Sequence, residues 1–322
     1  MLRSMYSGVS GMKNFQTKLD VIGNNIANVN TYGFKKGRVT YKDLINQQIA
    51  GASAATGNTS GMNAKQVGLG SALSSIDTIH TAGSNQTTGR TLDLALAGDG
   101  FFVVGTIKDP NKVNEDIGTA KGNNKITEPI DTAMDLSYTR AGNFYLDDKG
   151  YLVTSDGYYL VGQTGDKTPG NATTESTWST TPAGASAGLI QIPLTAKSFN
   201  IGPDGTVNFV DDGGQLRFAG QIRVANFANE GGLEKVGGNL YKQSSNSGTL
   251  NTNVTAGIQL DELSVPGQDG TATIMAGMLE MSNVDLADEF TEMIVAQRGF
   301  QSNTKIITTS DEILQELMNL KR

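Results

Sequence analysis

The chain has 322 residues, enough for two or three compact units or one long β-rich body with additions. Its 25 basic and 32 acidic side chains give an acidic balance, without the positive stripe that holds phosphate backbones, so nucleic acid is excluded as a partner. Cysteine is absent and histidine occurs once, at His80, which removes disulfides, thiolate chemistry and most histidine-based metal or acid–base schemes.

The first element is a helix over 1–30. Met5, Met12, Leu19 and Ile26 recur every seven residues, with Leu2 and Val9 beside that row, and Phe15, Ile22 and Val29 make a second row. Gly8, Gly11 and Gly23 weaken it by up to about 1 kcal/mol each relative to alanine, so it needs a partner helix. No unbroken apolar run follows Met1, so no cleaved signal is expected, and no stretch approaches the roughly 18 to 20 apolar residues that span a bilayer.

Residues 46–75 are rich in Gly, Ala, Ser, Asn and Thr without a clear period, and 31–75 is expected to be a connector. Over 76–267 short β-like runs alternate with glycine turns. Phe101 to Val104, Tyr151 to Val153, Tyr158 to Val161, Thr206 to Val210 and Gln221 to Val224 are the runs. Asp148-Lys149-Gly150, Ser155-Asp156-Gly157, Pro203-Asp204-Gly205 and Asp211 to Gly214 punctuate them. Polar excursions fall near 106–136 and 163–187, and 268–282 reads as a second connector.

The C-terminal element, 283–322, is a helix roughly 55 Å long with Leu286, Met293, Phe300, Ile307 and Leu314 in register. Phe290 and Leu317 broaden the stripe, and Ser282 or Asn283 can cap the start. Arg3, Lys13, Lys18, Lys35, Lys36 and Arg38 against Asp20 leave residues 1–38 at +5, whereas residues 280–322 stand at −4, so the two ends attract. The expected fold is therefore α+β: long terminal helices forming a coiled-coil stalk, with a largely antiparallel β-rich middle domain.

Sites for chemistry do not emerge. Gly98-Asp99-Gly100 lacks the third glycine and the strand-to-helix context of a nucleotide loop, and Asp147-Asp148 and Asp211-Asp212 sit at glycine turns without EF-hand spacing. His80 beside Ser74, Ser75 and Asp77 does not make a triad. No catalytic residue, cofactor or metal site is expected, and the heptad rows, with no large helical body to pack against, point to an assembly interface.

Asn24-Asn25-Ile26-Ala27-Asn28-Val29-Asn30-Thr31-Tyr32-Gly33-Phe34-Lys35 resembles the N-terminal signature of flagellar rod and hook proteins. Leu94 to Phe102, Tyr138 to Phe144, Gly202 to Gly205, Leu279 to Leu286 and Ala296 to Asn303 match that family in the same order. Asn24, Asn25, Asn28, Asn30, Thr31, Gly33 and Phe34 are the signature positions. Within the family, residues 1–12 and Val284-Asp285-Leu286 resemble hook members, with a distal rod member as the alternative and a secreted β-rich adhesin-like module as a remote one. The resemblance implies an extracellular, self-assembling helical polymer, exported by the flagellar type III apparatus without a cleaved signal. It also implies contacts with the hook cap, the distal rod and the hook–filament junction, no membrane insertion, and work as a universal joint. The polymerisation interface would be Leu2, Met5, Val9, Met12, Leu19, Ile22 and Ile26 with Leu286, Phe290, Met293, Phe300, Ile307, Leu314 and Leu317.

Overall fold

The computed structural model describes residues 2–55, 60–110, 112–113, 124–126, 129–165, 167–168, 177–178, 186–248, 250, 257–268 and 270–320. The chain is α+β, with a helix at each end and a mostly antiparallel β-rich middle. It divides into two compact units: residues 1–29, 35–79 and 284–322 form the first, and residues 30–34 with 80–283 form the second.

In the first unit, α1 (Leu2–Ala27) lies against α3 (Leu286–Leu320), and its other side meets a two-stranded ribbon. Strands β1 (Gly37–Asp43) and β4 (Ser71–Thr78) pair antiparallel from Gly37↔Thr78 to Asp43↔Ser71, with a bulge between Thr40 and Tyr41. Strands β2 (Asn46–Ala50) and β3 (Lys65–Gly68) carry the ribbon outward, and Ser53 bridges Met62 beyond them. The connector expected over 31–75 is thus largely paired strand. Composition misread it because the polar side chains hide a ladder whose stability comes from cross-strand backbone bonds rather than from an alternating apolar face. Tyr41 donates its hydroxyl to the Asn14 carbonyl oxygen (3.0 Å) and the Asn14 amide donates to Ser71 Oγ (2.8 Å), tying ribbon to helix.

Among the described residues, the second unit is built on a twelve-stranded antiparallel sheet. Its main path runs Ser198–Ile201, Thr206–Val210, Leu216–Ile222, Tyr159–Thr164, β7 (Phe101–Ile107), β8 (Met134–Thr139), Leu240–Lys242 and Glu234–Gly237. A single helical turn, α2 (Ile130–Ala133), precedes β8. β7 is buried from Phe101 to Gly105, as a strand covered on both faces must be, and it separates two apolar clusters. Phe101, Tyr138, Tyr151 and Phe227 lie in one, and Phe102, Phe144, Leu160, Phe209 and Ile222 in the other. The expected β runs are present, and the Asp-Gly punctuation forms turns: Gly150 takes φ 83° and donates to the Asp147 carbonyl oxygen (2.9 Å).

The second unit closes through its last residues. Thr273–Ala276 pairs with β6 (Leu94–Ala97), and Met278–Glu280 pairs with β5 (Asn85–Thr87), so the second connector expected over 268–282 holds two strands. The excursion near 163–187 falls largely outside the described residues, whereas that near 106–136 begins in β7 and ends in α2 and β8, with Val113 bridged to Ile126 between them.

Glu280 is the closing residue. Its carboxylate accepts from Arg140 Nη1 (3.5 Å) and from the Gly83 amide (3.0 Å), and its carbonyl oxygen accepts from the Gly33 amide (2.9 Å). Both side chains of the ion pair are fully buried, and the guanidinium lies over the Phe101 ring at 5.3 Å. Burial pushes the Tyr241 phenol up, with Arg140 drawing it back and Glu280 pushing it further.

Removing one member of a buried pair strands the other charge, so Glu280→Ala is expected to cost the second unit roughly 3–5 kcal/mol. Replacing both, as Arg140→Met with Glu280→Leu, should cost much less. Denaturant unfolding of the two variants, followed by tyrosine fluorescence, checks the ordering.

Candidate functional site

Contacts between α1 and α3 run in opposite chain directions. Gly8 faces Ile307, Gly11 faces Asn303, Phe15 covers Gly299, and Lys18 pairs with Glu292 (3.1 Å). Asn25 Nδ2 donates to Glu289 Oε2 (3.1 Å) at the far end. The helices are therefore an antiparallel pair.

Protected positions on α3 include Glu289, Met293, Ala296, Phe300, Asn303, Ile307, Ser310 and Leu314, spaced alternately by four and three, with Gly299 and Thr304 half-buried beside them. The large members form the heptad row read from the sequence. The others are small or polar, which lets the backbones approach. A Cβ added at Gly299 would stand 2.5–2.8 Å from three ring atoms of Phe15, and one added at Gly11 would stand 2.8 Å from Asn303 Nδ2. At Gly299 the rigid ring therefore sets the separation of the pair, whereas at Gly11 the end of the flexible Asn303 side chain can turn aside.

On α1, Met5, Val9, Met12, Leu19 and Ile26 are half-buried and Ile22 is buried, whereas the Leu2 side chain lies outside the described residues. On α3, Met293, Phe300, Ile307 and Leu314 are half-buried. Leu286, Phe290 and Leu317 are exposed at 40, 50 and 49%, and Ile294, Val295, Ile306, Ile313 and Met318 are exposed with them. One helix thus presents apolar side chains well beyond the face that α1 covers. The helix starts on Asp285, whose Oδ1 accepts from the Ala287 amide (2.8 Å), rather than on Ser282 or Asn283. Two residues of slack in the start place the carboxylate at the positive end of the helix dipole.

The signature residues work as chain-turning devices. Asn28 donates its amide to the Asn24 carbonyl oxygen (2.9 Å), closing the last turn of α1. Asn25 is buried and pairs twice with Gly37, its Oδ1 accepting from the Gly37 amide and its Nδ2 donating to the Gly37 carbonyl oxygen, both at 2.9 Å. Gly33 sits at φ 69° with Ala141 N 2.6 Å from where a Cβ would be, so only glycine fits. Phe34 lies under the Lys235 ammonium (5.0 Å) and its carbonyl oxygen accepts from the Asn283 amide (3.4 Å). Thr31 is half-buried, its carbonyl oxygen accepting from the Phe34 amide (3.3 Å), while Asn24 and Asn30 are exposed.

Sequence reasoning did not place Glu289, Ala296, Asn303 and Ser310 in the seam, although these share the seven-residue spacing, and Ala296 and Asn303 entered only as the ends of a family-like stretch. The large apolar side chains carry the periodic signal, and a row of small or polar residues does not. Among the described residues no cluster of three or more metal-ligating side chains occurs.

Gly299→Val is expected to push the helices apart at Phe15, lowering the stability of the first unit by about 1–3 kcal/mol. Adding Phe15→Ala should recover part of that loss. Thermal melts at 222 nm on the single and double variants check both outcomes.

The chain matches three family descriptions: "Flagella basal body rod protein" over residues 5–35, "Flagellar hook protein FlgE/F/G D1 domain" over 121–209, and "Flagellar basal body rod FlgEFG protein C-terminal" over 275–320. A flagellar basal-body rod protein of Bacillus subtilis (strain 168) is 53% identical over 322 residues, covering all of both chains. A rod protein of Caulobacter vibrioides is 32% identical over 322 residues, covering 99% of this chain and all of that one. A flagellar hook protein of Borreliella burgdorferi is 32% identical over an alignment of 452 residues that takes in all of both chains. With its terminal helices, signature turn and β-rich middle, the chain belongs to the flagellar rod and hook family, structural subunits of the flagellar axis.

Proposed function

We propose that this chain is a rod subunit of the flagellar basal body, one segment of a stiff drive shaft, rather than the hook subunit that residues 1–12 and Val284-Asp285-Leu286 suggested. The observation that carries this reading is the 53% identity to a rod protein over all of both chains. The Borreliella hook relative needs 452 aligned positions against the 322 residues here, so it carries insertions that this chain lacks. Short excursions in place of an inserted outer domain fit a rod subunit better.

Assembly would use what the isolated chain leaves uncovered. The apolar flanks of α3 at Leu286, Phe290 and Ile294, and at Ile306, Ile313 and Leu317, are suited to neighbouring copies, with residues 1–30 and 283–322 as an inner coiled-coil layer and 76–267 as the outer one. The ribbon is the second element. Ile45, Ile49 and Met62 are exposed at 81, 66 and 64% on a two-stranded hairpin, a structure marginal in water by itself. Covering it with adjacent subunits removes that apolar area from water and braces the polymer laterally. Torque transmission asks for such braces, because a subunit held only at its helices could swing. Neighbouring copies are the principal partners in this reading.

Electron microscopy of basal bodies from a strain carrying a tag on this chain tests the assignment. Label on a short straight segment is the expected result, and label on curved segments returns the reading to the hook. Ile45→Asp with Ile49→Asp should leave the circular dichroism of the purified chain unchanged while shortening or abolishing polymers in negative stain. Full-length polymers in that variant would remove the ribbon from the interface.

A further inference from the structure

A seven-residue repeat is a poor ruler. Met293, Phe300, Ile307 and Leu314 offer equivalent apolar steps to Met5, Met12, Leu19 and Ile26, so sliding α3 by one heptad along α1 restores an apolar row opposite an apolar row. Register has to come from something that does not repeat. The Phe15–Gly299 fit contributes, but after a slip the ring would meet Ile306 or Glu292, both exposed and able to swing outward.

We propose that the polar cluster of buried Asn25 and Glu289 with half-buried Gly37 and Lys36 is the register latch of the terminal helix pair. Asn25 is on α1, yet its two bonds to the Gly37 backbone fix it to the start of β1, which lies outside the heptad pattern. The same amide nitrogen donates to Glu289 Oε2 (3.1 Å), and the Lys36 ammonium stands 3.8 Å from Glu289 Oε1. Both Asn25 and Glu289 are buried. Their partners are therefore helix, ribbon and returning helix at one point. A slip of seven residues would bring Ala296 or Ser282 opposite Asn25 and carry the Glu289 carboxylate away from both of its donors. A buried polar group deprived of its partners loses more than an exposed one, so the cluster selects one register out of a set that the apolar rows leave nearly equal. Lys18 with Glu292 lies one turn away but is open to water, and it adds little selectivity.

The latch deepens the assembly reading and rests on it for its purpose. Register decides which apolar side chains of α3 remain uncovered by α1, and hence which surface a second copy meets.

The chain has no cysteine, so introduced pairs report register without background. In the full-length chain, Gly8→Cys with Ile307→Cys reads the native register, since a Cβ at Gly8 lies 3.5 Å from Ile307 Cγ1. Gly8→Cys with Phe300→Cys, and Gly8→Cys with Leu314→Cys, read a one-heptad slip in each direction. Intrachain disulfide is quantified by mass spectrometry after mild oxidation of the monomer fraction, and mixed single-cysteine chains correct for interchain bonds. With the latch intact, the native pair should exceed either slipped pair by roughly tenfold or more. Asn25→Leu and Glu289→Leu should raise a slipped pair several-fold while helical circular dichroism is kept. A cavity of about 200 Å³ beside Ile22, Asn25 and Glu289 gives the branched side chain room. Glu289→Gln keeps an acceptor for Asn25 and should restore native selectivity. Native-only cross-linking in both leucine variants overturns the proposal, as does loss of the helical signal in both, which would make the cluster a stability element. A glutamine variant that slips like the leucine one removes the Asn25 hydrogen bond from the latch and overturns it too. Polymer formation is followed separately by electron microscopy. A chain that holds its register and forms no polymer leaves the latch standing and defeats the assembly reading instead.

Discussion

In both units the first residues are completed by the last. Phe15 needs Gly299, Asn25 needs Glu289, Gly33 needs the Glu280 carbonyl and Arg140 needs the Glu280 carboxylate. Each partnership spans more than a hundred residues, so the loop-closure entropy is met late and all at once. Neither the helix pair nor the second unit's sheet has a local substitute. α1, weakened by its glycines, cannot persist as a lone helix in water, and Arg140 would otherwise be a charge sealed among Phe101 and its neighbours. A chain rich in such contacts folds slowly for its size, since non-local pairing comes before the reward of burial.

The polar content of the helix seam follows from the same constraint. An all-apolar seam would be more adhesive, but it would pair with any other apolar helix and in several registers. Here Ala296, Asn303 and Ser310 share the row with Glu289, so close approach, and at Glu289 a bond from Asn25, takes the place of bulk. The apolar surplus is put on the flanks at Phe290, Ile294 and Ile306. The helix thus turns a mixed polar and apolar face toward α1 and leaves apolar side chains exposed on its flanks.

Both terminal helices and most of the sheet were legible because their signals are strong and local: heptads at one scale, Asp-Gly turns at the other. The row Met293, Phe300, Ile307 and Leu314 was read directly from its spacing. The ribbon was not legible. Asn46 to Ala50 and Lys65 to Gly68 carry no alternating pattern, because neither face of an isolated ribbon is buried in the chain itself. A periodic signal arises only where one side of an element meets a core. The buried roles of Glu280 and Glu289 were not legible for a related reason: a buried carboxylate looks like a surface one until its partner, distant in sequence, is known. The signature asparagines were recognised as a motif, but their roles could not be told apart. Asn25 holds three groups while Asn24 and Asn30 are exposed, and spacing does not distinguish them.

The ribbon has a mechanical character that its sequence conceals. From Gly37 to Ala50 the outgoing strand spans roughly 45 Å, and the returning strand runs beside it. Two strands side by side make a strip that is broad in one direction and a single layer thick in the other. Such a strip flexes readily across its face by twisting, since the ladder bonds tilt without breaking. Bending it within its own plane would stretch one strand relative to the other and shear every bond between them. The ribbon therefore behaves as a leaf spring. It can conform to a curved surface, yet it passes sideways force along its length with little loss.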